Sequence, residues 1–193
     1  MKKICLILLL LLNVNTLYSQ EIKNIITNTY IVKYSEYLEQ PLYVFYKITC
    51  PNGKESRNGL TFKEYDGVIT SNDEDYINNI WDKGHLAPAS SFSCDTDMLK
   101  STFSYLNCAL QHQSLNRGPW KELERFERNL AKIYDSVNVS VECHFSKNST
   151  RLPTGAVVPD AFTKIISWDD KEECFYFPNK DVKGIDWIEF RIN

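Results

Sequence analysis

Alternating apolar and polar positions predict a strand at residues 137–145, VNVSVECHF, where valine recurs at every second position. Three other runs are rich in aromatic and β-branched residues and also predict strands, at 43–50, 156–167 and 173–178. Residues 51–80 are polar and carry many turn-forming residues, so we expect mostly loop there. The pattern therefore predicts strands on both sides of the middle of the chain.

The middle of the chain predicts one prominent helix, at residues 115–134. Its apolar residues recur at intervals of three to five and form a single stripe. They are Leu115, Trp120, Leu123, Phe126, Leu130 and Ile133. Gly118 and Pro119 are tolerated only in a first turn, so we expect the helix to begin near Asn116. Strands before and after one helix indicate an α+β domain and not alternating βαβ units.

The first 20 residues have the pattern of a secretory signal peptide. Two lysines precede an apolar run at residues 4–12, and a polar stretch with a small residue follows. That run is short for a membrane span, and no second apolar run follows it. We expect cleavage near Ser19 or Gln20, a secreted or periplasmic protein with one domain at 21–193, and no membrane attachment after cleavage. An uncleaved N-terminal anchor is the alternative.

Charge limits how such a protein can bind a polyanion. Cleavage after residue 20 removes two lysines and no acid, so the formal net charge of −3 becomes −5. A chain with this balance does not attract nucleic acid through its bulk charge. Binding would need a few arranged cations or a bound metal ion.

The cysteines are consistent with an exported chain but leave an odd number. Cys5 lies in the signal, and those that remain are Cys50, Cys94, Cys108, Cys143 and Cys174. An odd number leaves at least one thiol unpaired or bonded between molecules. We expect at most two disulfides, with Cys94–Cys108 the favoured pair. The cysteine and histidine spacings match no zinc module, so we do not expect structural zinc.

Residues 81–89, WDKGHLAPA, place His85 directly after an acid, a cation and a glycine. These neighbours are unusual for a core histidine and indicate a functional group, although a buried structural histidine is the alternative. On the predicted helix, polar residues recur every four positions at Asn116, Glu124 and Arg128, with Trp120 between them. Four residues turn about 400°, so these side chains lie on neighbouring faces. A solvated face with a Glu124–Arg128 ion pair is the structural alternative.

Together these segments resemble the DNA/RNA non-specific endonucleases, the relatives of endonuclease G among the ββα-metal nucleases. The family pattern has Asp-Arg-Gly-His and a small apolar stretch with proline, then Asn and Gln, then Asn-x-Gly-x-Trp-x-x-Leu-Glu. The matching segments here are DKGHLAPA, FSYLNCALQ and LNRGPWKELERFER, and VVPDAFTKI and FYFPN are similar to later strands. The resemblance covers residues 43–179. It implies an α+β His-Me finger fold, with a central antiparallel sheet flanked by helices.

The resemblance also implies an activity, the metal-dependent hydrolysis of DNA and RNA without sequence specificity. His85 would be the general base, and Asn116 the only direct protein ligand of a hydrated Mg²⁺ ion, with Mn²⁺ as a substitute. Glu124 would hold a metal-bound water. Asn107 and Arg128 would orient the site and hold phosphate. The protein would act as a monomer or homodimer.

Two positions need separate comment. Arg57, in ESRNG, is a further candidate to clamp phosphate, although it lies in a loop that is hard to align. Lys83 stands where the family has arginine, and lysine keeps the charge but lacks the planar bidentate fork. This departure favours an alternative, a catalytically weak nucleic-acid-binding or toxin-like module with the same fold. The chain end, DVKGIDWIEFRIN, also departs from the family pattern.

Overall fold

A computed structural model describes residues 22–192 of the chain. The strands are β1 Ile22–Ile26, β2 Tyr30–Ser35, β3 Gln40–Ile48, β4 Trp81–His85, β5 Cys108–His112, β6 Val137–His144, β7 Ala161–Trp168, β8 Lys171–Pro178 and β9 Arg191–Ile192. The helices are α1 Thr96–Ser101, α2 Gln113–Leu115 and α3 Lys121–Ile133, and a π-helical turn at Asn116–Trp120 joins α2 to α3. The predicted signal peptide lies outside the described residues.

Seven strands form one antiparallel sheet in the order β1-β2-β3-β6-β7-β8-β9. The remaining two strands, β4 and β5, pair with each other in a separate antiparallel ribbon. The predicted α+β class with a central antiparallel sheet is therefore confirmed. Within residues 22–192, no helix is both long and apolar enough to cross a membrane.

Most of the predicted strands are present. Residues 137–145 correspond to β6, 43–50 to most of β3, and 173–178 to the second part of β8. The prediction for 156–167 was wrong at its start, because β7 begins only at Ala161. Pro159 has no N–H to donate to a strand ladder, and the segment before β7 is an irregular connection.

The predicted helix is present, but its first turns are irregular. The chain turns helically from Gln113, while Gly118 adopts φ −106° and ψ −114°, so the regular helix α3 begins at Lys121. The end of the predicted apolar stripe was wrong, because Ile133 is 70% exposed. Glu127, which is not part of the predicted apolar stripe, is fully buried.

The main core lies where α3 and the π turn pack on the large sheet. Every second residue of the central strands faces it, including Val44, Tyr46, Val139, Val141, Phe162 and Phe177, together with Trp120, Leu123 and Leu130 from the helical side. Complete burial of a large apolar side chain contributes about 1.5–3 kcal/mol. This packing fixes the helix, and with it the polar side chains that the helix carries, relative to the sheet.

Glu127 is buried because the sheet supplies its partners. Its carboxylate accepts hydrogen bonds from Lys164 Nζ at 2.8 Å and from the Tyr46 hydroxyl at 2.7 Å. The Lys164 ammonium is also fully buried and lies 3.9 Å from the ring centroid of Trp120. The group is an ion pair inside the core, whose two charges depend on each other because neither reaches water.

The expected Cys94–Cys108 disulfide is wrong. The structure pairs Cys50 with Cys94, whose Cα atoms are 6.3 Å apart. Cys108 is buried in β5, and its Sγ lies 3.3 Å from the Tyr76 hydroxyl. Within residues 22–192, free thiols are found at Cys108, Cys143 and Cys174, which agrees with the expectation of at least one unpaired cysteine.

Candidate active site

The β4–β5 ribbon and the helix after it form a ββα unit. Gly84 pairs with Ala109 and His85 with Cys108 across the ribbon. Two side chains tie β4 to the π turn that precedes α3. Trp120 Nε1 donates to the His85 carbonyl oxygen at 3.3 Å, and Asn116 Nδ2 donates to Asp82 Oδ2 at 2.9 Å. The two sequence motifs are therefore in direct contact in the structure.

A cavity of about 520 Å³ opens beside this unit. Six of the seven site residues expected from the sequence line it: Arg57, Lys83, His85, Asn116, Glu124 and Arg128. Arg117 and Lys121 line it as well, so the wall carries five cationic side chains and one carboxylate. This local excess of positive charge can attract a phosphate backbone although the whole chain is acidic.

His85 lies in an apolar part of the cavity wall. Its imidazole packs against Phe62 and Phe103, with ring centroids 4.7 and 4.9 Å away. Burial, with a smaller contribution from the charge of Arg57, lowers the pKa of His85 to about 3. The imidazole is therefore neutral at pH 7 and can accept a proton. The negative charge of a bound phosphodiester would raise this pKa again towards the operating pH.

Asn116 is held in one orientation by Asp82. The same carboxylate accepts two further hydrogen bonds from Arg117, at 2.8 and 2.6 Å. Burial alone would raise the pKa of Asp82, but the bonds from Arg117 and Asn116 outweigh it and lower that pKa below its usual value. Since Nδ2 of Asn116 is engaged, its Oδ1 is the atom left to bind a ligand in the cavity.

Glu124 and Arg128 lie about two and three turns further along the helical segment than Asn116. Desolvation raises the pKa of Glu124 from 4.5 to about 7, against the lowering effect of the Lys164 charge. Arg128 Nη1 is buried without a hydrogen-bond partner among the described residues. The two side chains form no ion pair with each other within residues 22–192, so the solvated-face alternative is not what the structure shows. An unpaired buried guanidinium N–H is costly and indicates a donor kept for an anionic ligand.

Asn107 is absent from the cavity wall. It is fully buried, accepts a hydrogen bond from Ala87 N at 2.7 Å, and donates to the carbonyl oxygens of Ala87 and Thr102. Backbone groups take up the polar atoms of its side-chain amide, which favours the orienting role expected for Asn107 over direct phosphate binding. Its position agrees with an orienting role, since it holds the segment that follows His85.

Lys83 is engaged in contacts that the sequence did not indicate. Its ammonium pairs with the Asp73 carboxylate, which also accepts a hydrogen bond from the Tyr105 hydroxyl. The rings of Phe62, Tyr76 and Tyr105 surround it at 5.5–5.8 Å. The charge of Lys83 is thus largely balanced within the protein.

Sequence reasoning did not single out eight residues that line the cavity, and four of them carry a charge or a ring: Arg117, Lys121, Phe62 and Phe103. Arg117 and Lys121 lie inside the NRGPWK motif, so their spacing from Asn116 could have revealed them. Phe62 carries no sequence signal, and Phe103 begins the FSYLNCALQ segment without being singled out there, because only the fold brings the two rings to His85.

The comparisons with known proteins agree with this geometry. The family model of the DNA/RNA non-specific endonucleases matches residues 11–193. The chain belongs to this family. A chain of the solved EndoG/EndoGI complex superposes with a TM-score of 0.78 at 23% identity, covering 90% of this chain and 80% of that one. This similarity confirms the ββα-metal nuclease fold.

Curated relatives of this endonuclease-family chain include mitochondrial and bacterial nucleases. Endonuclease G, mitochondrial, from Bos taurus is 32% identical over 90 residues, which are 45% of this chain and 30% of the relative. Nuclease EXOG, mitochondrial, from Xenopus laevis is 30% identical over 88 residues, which are 44% of this chain and 25% of the relative. The Nuclease of Serratia marcescens is 30% identical over 122 residues, which are 58% of this chain and 45% of the relative. The matches thus span a quarter to under half of each relative.

Proposed function

We propose that this protein is a metal-dependent endonuclease that hydrolyses phosphodiester bonds of DNA and RNA without base specificity. The observation that carries the proposal is the shared cavity, where His85, Asn116 and Glu124 line the wall together with Arg57, Lys121 and Arg128. Two further cations of the wall, Lys83 and Arg117, are paired with Asp73 and Asp82. Membership of the DNA/RNA non-specific endonuclease family supports the same activity.

The donor set fits a hydrated magnesium ion, with Mn²⁺ as a substitute. Asn116 offers one amide oxygen, and Glu124 offers a carboxylate whose pKa is raised by desolvation and would be lowered by a nearby cation. Within residues 22–192, no cluster of three or more His, Cys, Asp or Glu side chains is arranged to hold a metal. Mg²⁺ keeps several of its waters and needs few protein ligands, so Asn116 would bind it directly and Glu124 through a water.

When bound, the ion would supply Lewis-acid stabilisation of the charge that develops on the phosphate and the leaving oxygen. The protein's own residues would supply the rest. His85, neutral at pH 7, would take a proton from the attacking water. Arg57 and Arg128 would hold the phosphate oxygens through charge-assisted hydrogen bonds.

The absence of base specificity follows from the kind of contact that this wall can make. Its arginines and lysines donate to phosphate oxygens, which are the same at every nucleotide. Contacts of this kind position the strand without reading its sequence. We therefore propose that both DNA and RNA are substrates.

We also propose that the protein is exported, because its first 20 residues have the pattern of a signal peptide. The mature protein would begin at Gln20 or Glu21 and be found outside the cytoplasm. Intact-mass analysis of natively produced material tests this, and a mass that retains Met1 would refute it.

Plasmid nicking and RNA cleavage, each with Mg²⁺ and with EDTA, test the activity. We expect both substrates to be cut only when the metal is present. His85→Ala is the informative variant, and His144→Ala is its matched control, because His144 hydrogen-bonds Thr163 in the large sheet. If wild-type protein binds nucleic acid but cuts neither substrate, the proposed activity is wrong.

That outcome would favour the alternative, a nucleic-acid-binding or toxin-like module with weak or no catalysis. The specific observation in its favour is Lys83, whose ammonium is paired with Asp73 and so contributes less to phosphate binding than a free arginine would.

A further inference from the structure

The geometry points to Phe62 and Phe103 as positioning residues that clamp the His85 imidazole between two rings, with Lys83 as the support of that clamp. The inference rests on the proposed function in one respect, since it takes His85 to be the general base. It assigns a role to two phenylalanines and gives Lys83 a role other than holding phosphate.

The three rings form a compact group. His85 lies 4.7 Å from Phe62 with the ring planes at 53°, and 4.9 Å from Phe103 with the planes at 83°. Phe62 and Phe103 also contact each other, at 5.4 Å. These separations and tilts are those of favourable aromatic pairs.

The clamp is needed because the imidazole lacks a polar anchor. A catalytic histidine is commonly oriented by a hydrogen bond to one of its ring nitrogens. Among residues 22–192, no hydrogen bond to the imidazole of His85 is present, and its Nε2 is buried without a partner. The bond from Trp120 fixes only the backbone carbonyl of His85. Ring packing is therefore what limits rotation of the imidazole.

The backbone holds the two phenylalanines side by side. Lys63 N donates to the Phe103 carbonyl oxygen at 3.0 Å, and Tyr105 N donates to the Lys63 carbonyl oxygen at 2.9 Å. This short parallel bridge joins the loop after β3 to the segment after α1. Phe62 and Phe103 each adjoin it, so their rings reach His85 from one supported wall.

Lys83 contacts the same wall through Phe62 and Tyr105. Its ammonium lies 5.8 Å from the Phe62 ring and 5.5 Å from the Tyr105 ring, and those two rings are 5.6 Å apart. Both distances are within the range of an attractive cation–π contact. The Asp73 carboxylate holds the ammonium in place. Lys83 thus acts on His85 indirectly, by holding the ring of Phe62 in place.

The clamp predicts a specific kinetic signature. A catalytic group must be held to about 10–20° of its productive orientation. Phe62→Leu keeps the apolar volume but removes one ring, so we expect kcat to fall about tenfold while KM changes less than about twofold. Phe62→Tyr keeps the ring and should retain most of kcat. Phe145→Leu is the matched control, because Phe145 is partly buried against the core and lines a different cavity.

A readout independent of activity comes from NMR of histidine-labelled protein. The rings of Phe62 and Phe103 should shift the His85 imidazole protons through ring currents, and His85→Ala assigns those signals. Phe62→Leu and Phe103→Leu should move the His85 signals, whereas Phe62→Tyr and Phe145→Leu should leave them nearly unchanged. Unmoved His85 signals in both leucine variants would overturn the clamp, and so would moved signals with an unchanged kcat. If the signals move as expected but wild-type protein cuts neither DNA nor RNA, the proposed function fails while the ring contacts stand.

Discussion

The side-chain amide of Asn116 donates a hydrogen bond of 2.9 Å to the carboxylate of Asp82, which lies 34 residues earlier in the chain. This bond joins the end of the ββ ribbon to the start of the helix, and it leaves Asn116 Oδ1 for a ligand. Asp82 also holds Arg117, so one carboxylate orders two residues of the cavity wall. The position of a proposed metal ligand thus depends on a residue of the other motif.

Removal of the Asp82 carboxylate should therefore weaken metal binding without removing a ligand. We expect Asp82→Ala to lower Mg²⁺ affinity by roughly 10–100-fold, the usual effect of losing a residue that orients a ligand. Isothermal titration with Mg²⁺ or Mn²⁺ measures this. Asp97→Ala is the matched control, because Asp97 is an exposed acid on α1. Equal affinities in the two variants would contradict the prediction.

Loss of the proposed base should leave metal binding intact. His85→Ala should lower the cleavage rate by about 10²–10⁴-fold, the usual contribution of general acid–base catalysis, and added imidazole should restore part of it. Asn116→Ala should weaken metal affinity together with activity and gain nothing from imidazole. If His85→Ala abolished Mg²⁺ binding, His85 would be a ligand, and the assignment of the base would be wrong.

Glu124 makes a pH-dependent contribution to stability that needs no substrate to measure. Its pKa is raised from 4.5 to about 7 in the folded protein. The unfolded chain therefore loses this proton first, and stability falls as pH rises through that window. Glu124→Gln lacks the effect, so its free energy of unfolding relative to wild type should rise by about 3 kcal/mol between pH 4 and pH 8 without metal. Urea unfolding at both pH values measures the difference, and a pH-independent difference would refute the shift.

The buried pair of Glu127 and Lys164 should be sensitive to the loss of one partner. Glu127→Gln leaves the Lys164 ammonium buried without a counter-ion, which should cost about 3–5 kcal/mol in the free energy of unfolding. Glu122→Gln is the control on the same helix. Its ion pair with Arg125 is solvent-exposed, so its loss should cost less than about 1 kcal/mol. Similar losses in both variants would show that Lys164 finds another partner or loses its charge.

The Cys50–Cys94 disulfide should stabilise the fold and set the thiol count. It closes a separation of 44 residues, which corresponds to about 4 kcal/mol in the chain-entropy model. Cys50→Ser should lose much of this stabilisation in the free energy of unfolding. Cys174→Ser should lose none of it, because Cys174 is not in a disulfide. Thiol counting on the denatured, unreduced protein should find the three free cysteines at 108, 143 and 174. A further thiol would mean that Cys5, and so the N-terminal segment, had been retained.

The sequence alone determined the fold class and most of the candidate site. The valine alternation of β6 and the four-residue spacing of Asn116, Glu124 and Arg128 are local patterns, and they depend only on the periods of a strand and a helix. The DKGH and NRGPW motifs predicted the site residues in another way, through their resemblance to the endonuclease family, and they too lie within short segments. Local patterns predicted these features because the residues concerned are close in sequence.

The tertiary structure decided the features that join distant segments. Phe62 and Phe103 reach His85 only because two loops pair through Lys63, and Glu127 is buried only because β7 supplies Lys164. The Cys50–Cys94 pairing depends in the same way on where β3 ends. A side chain's own neighbours in sequence do not specify such contacts, because their energies come from groups that packing brings together from other parts of the chain. Local periodicity therefore predicted the elements and the family motifs predicted the site residues, whereas packing decided which charges, rings and thiols meet.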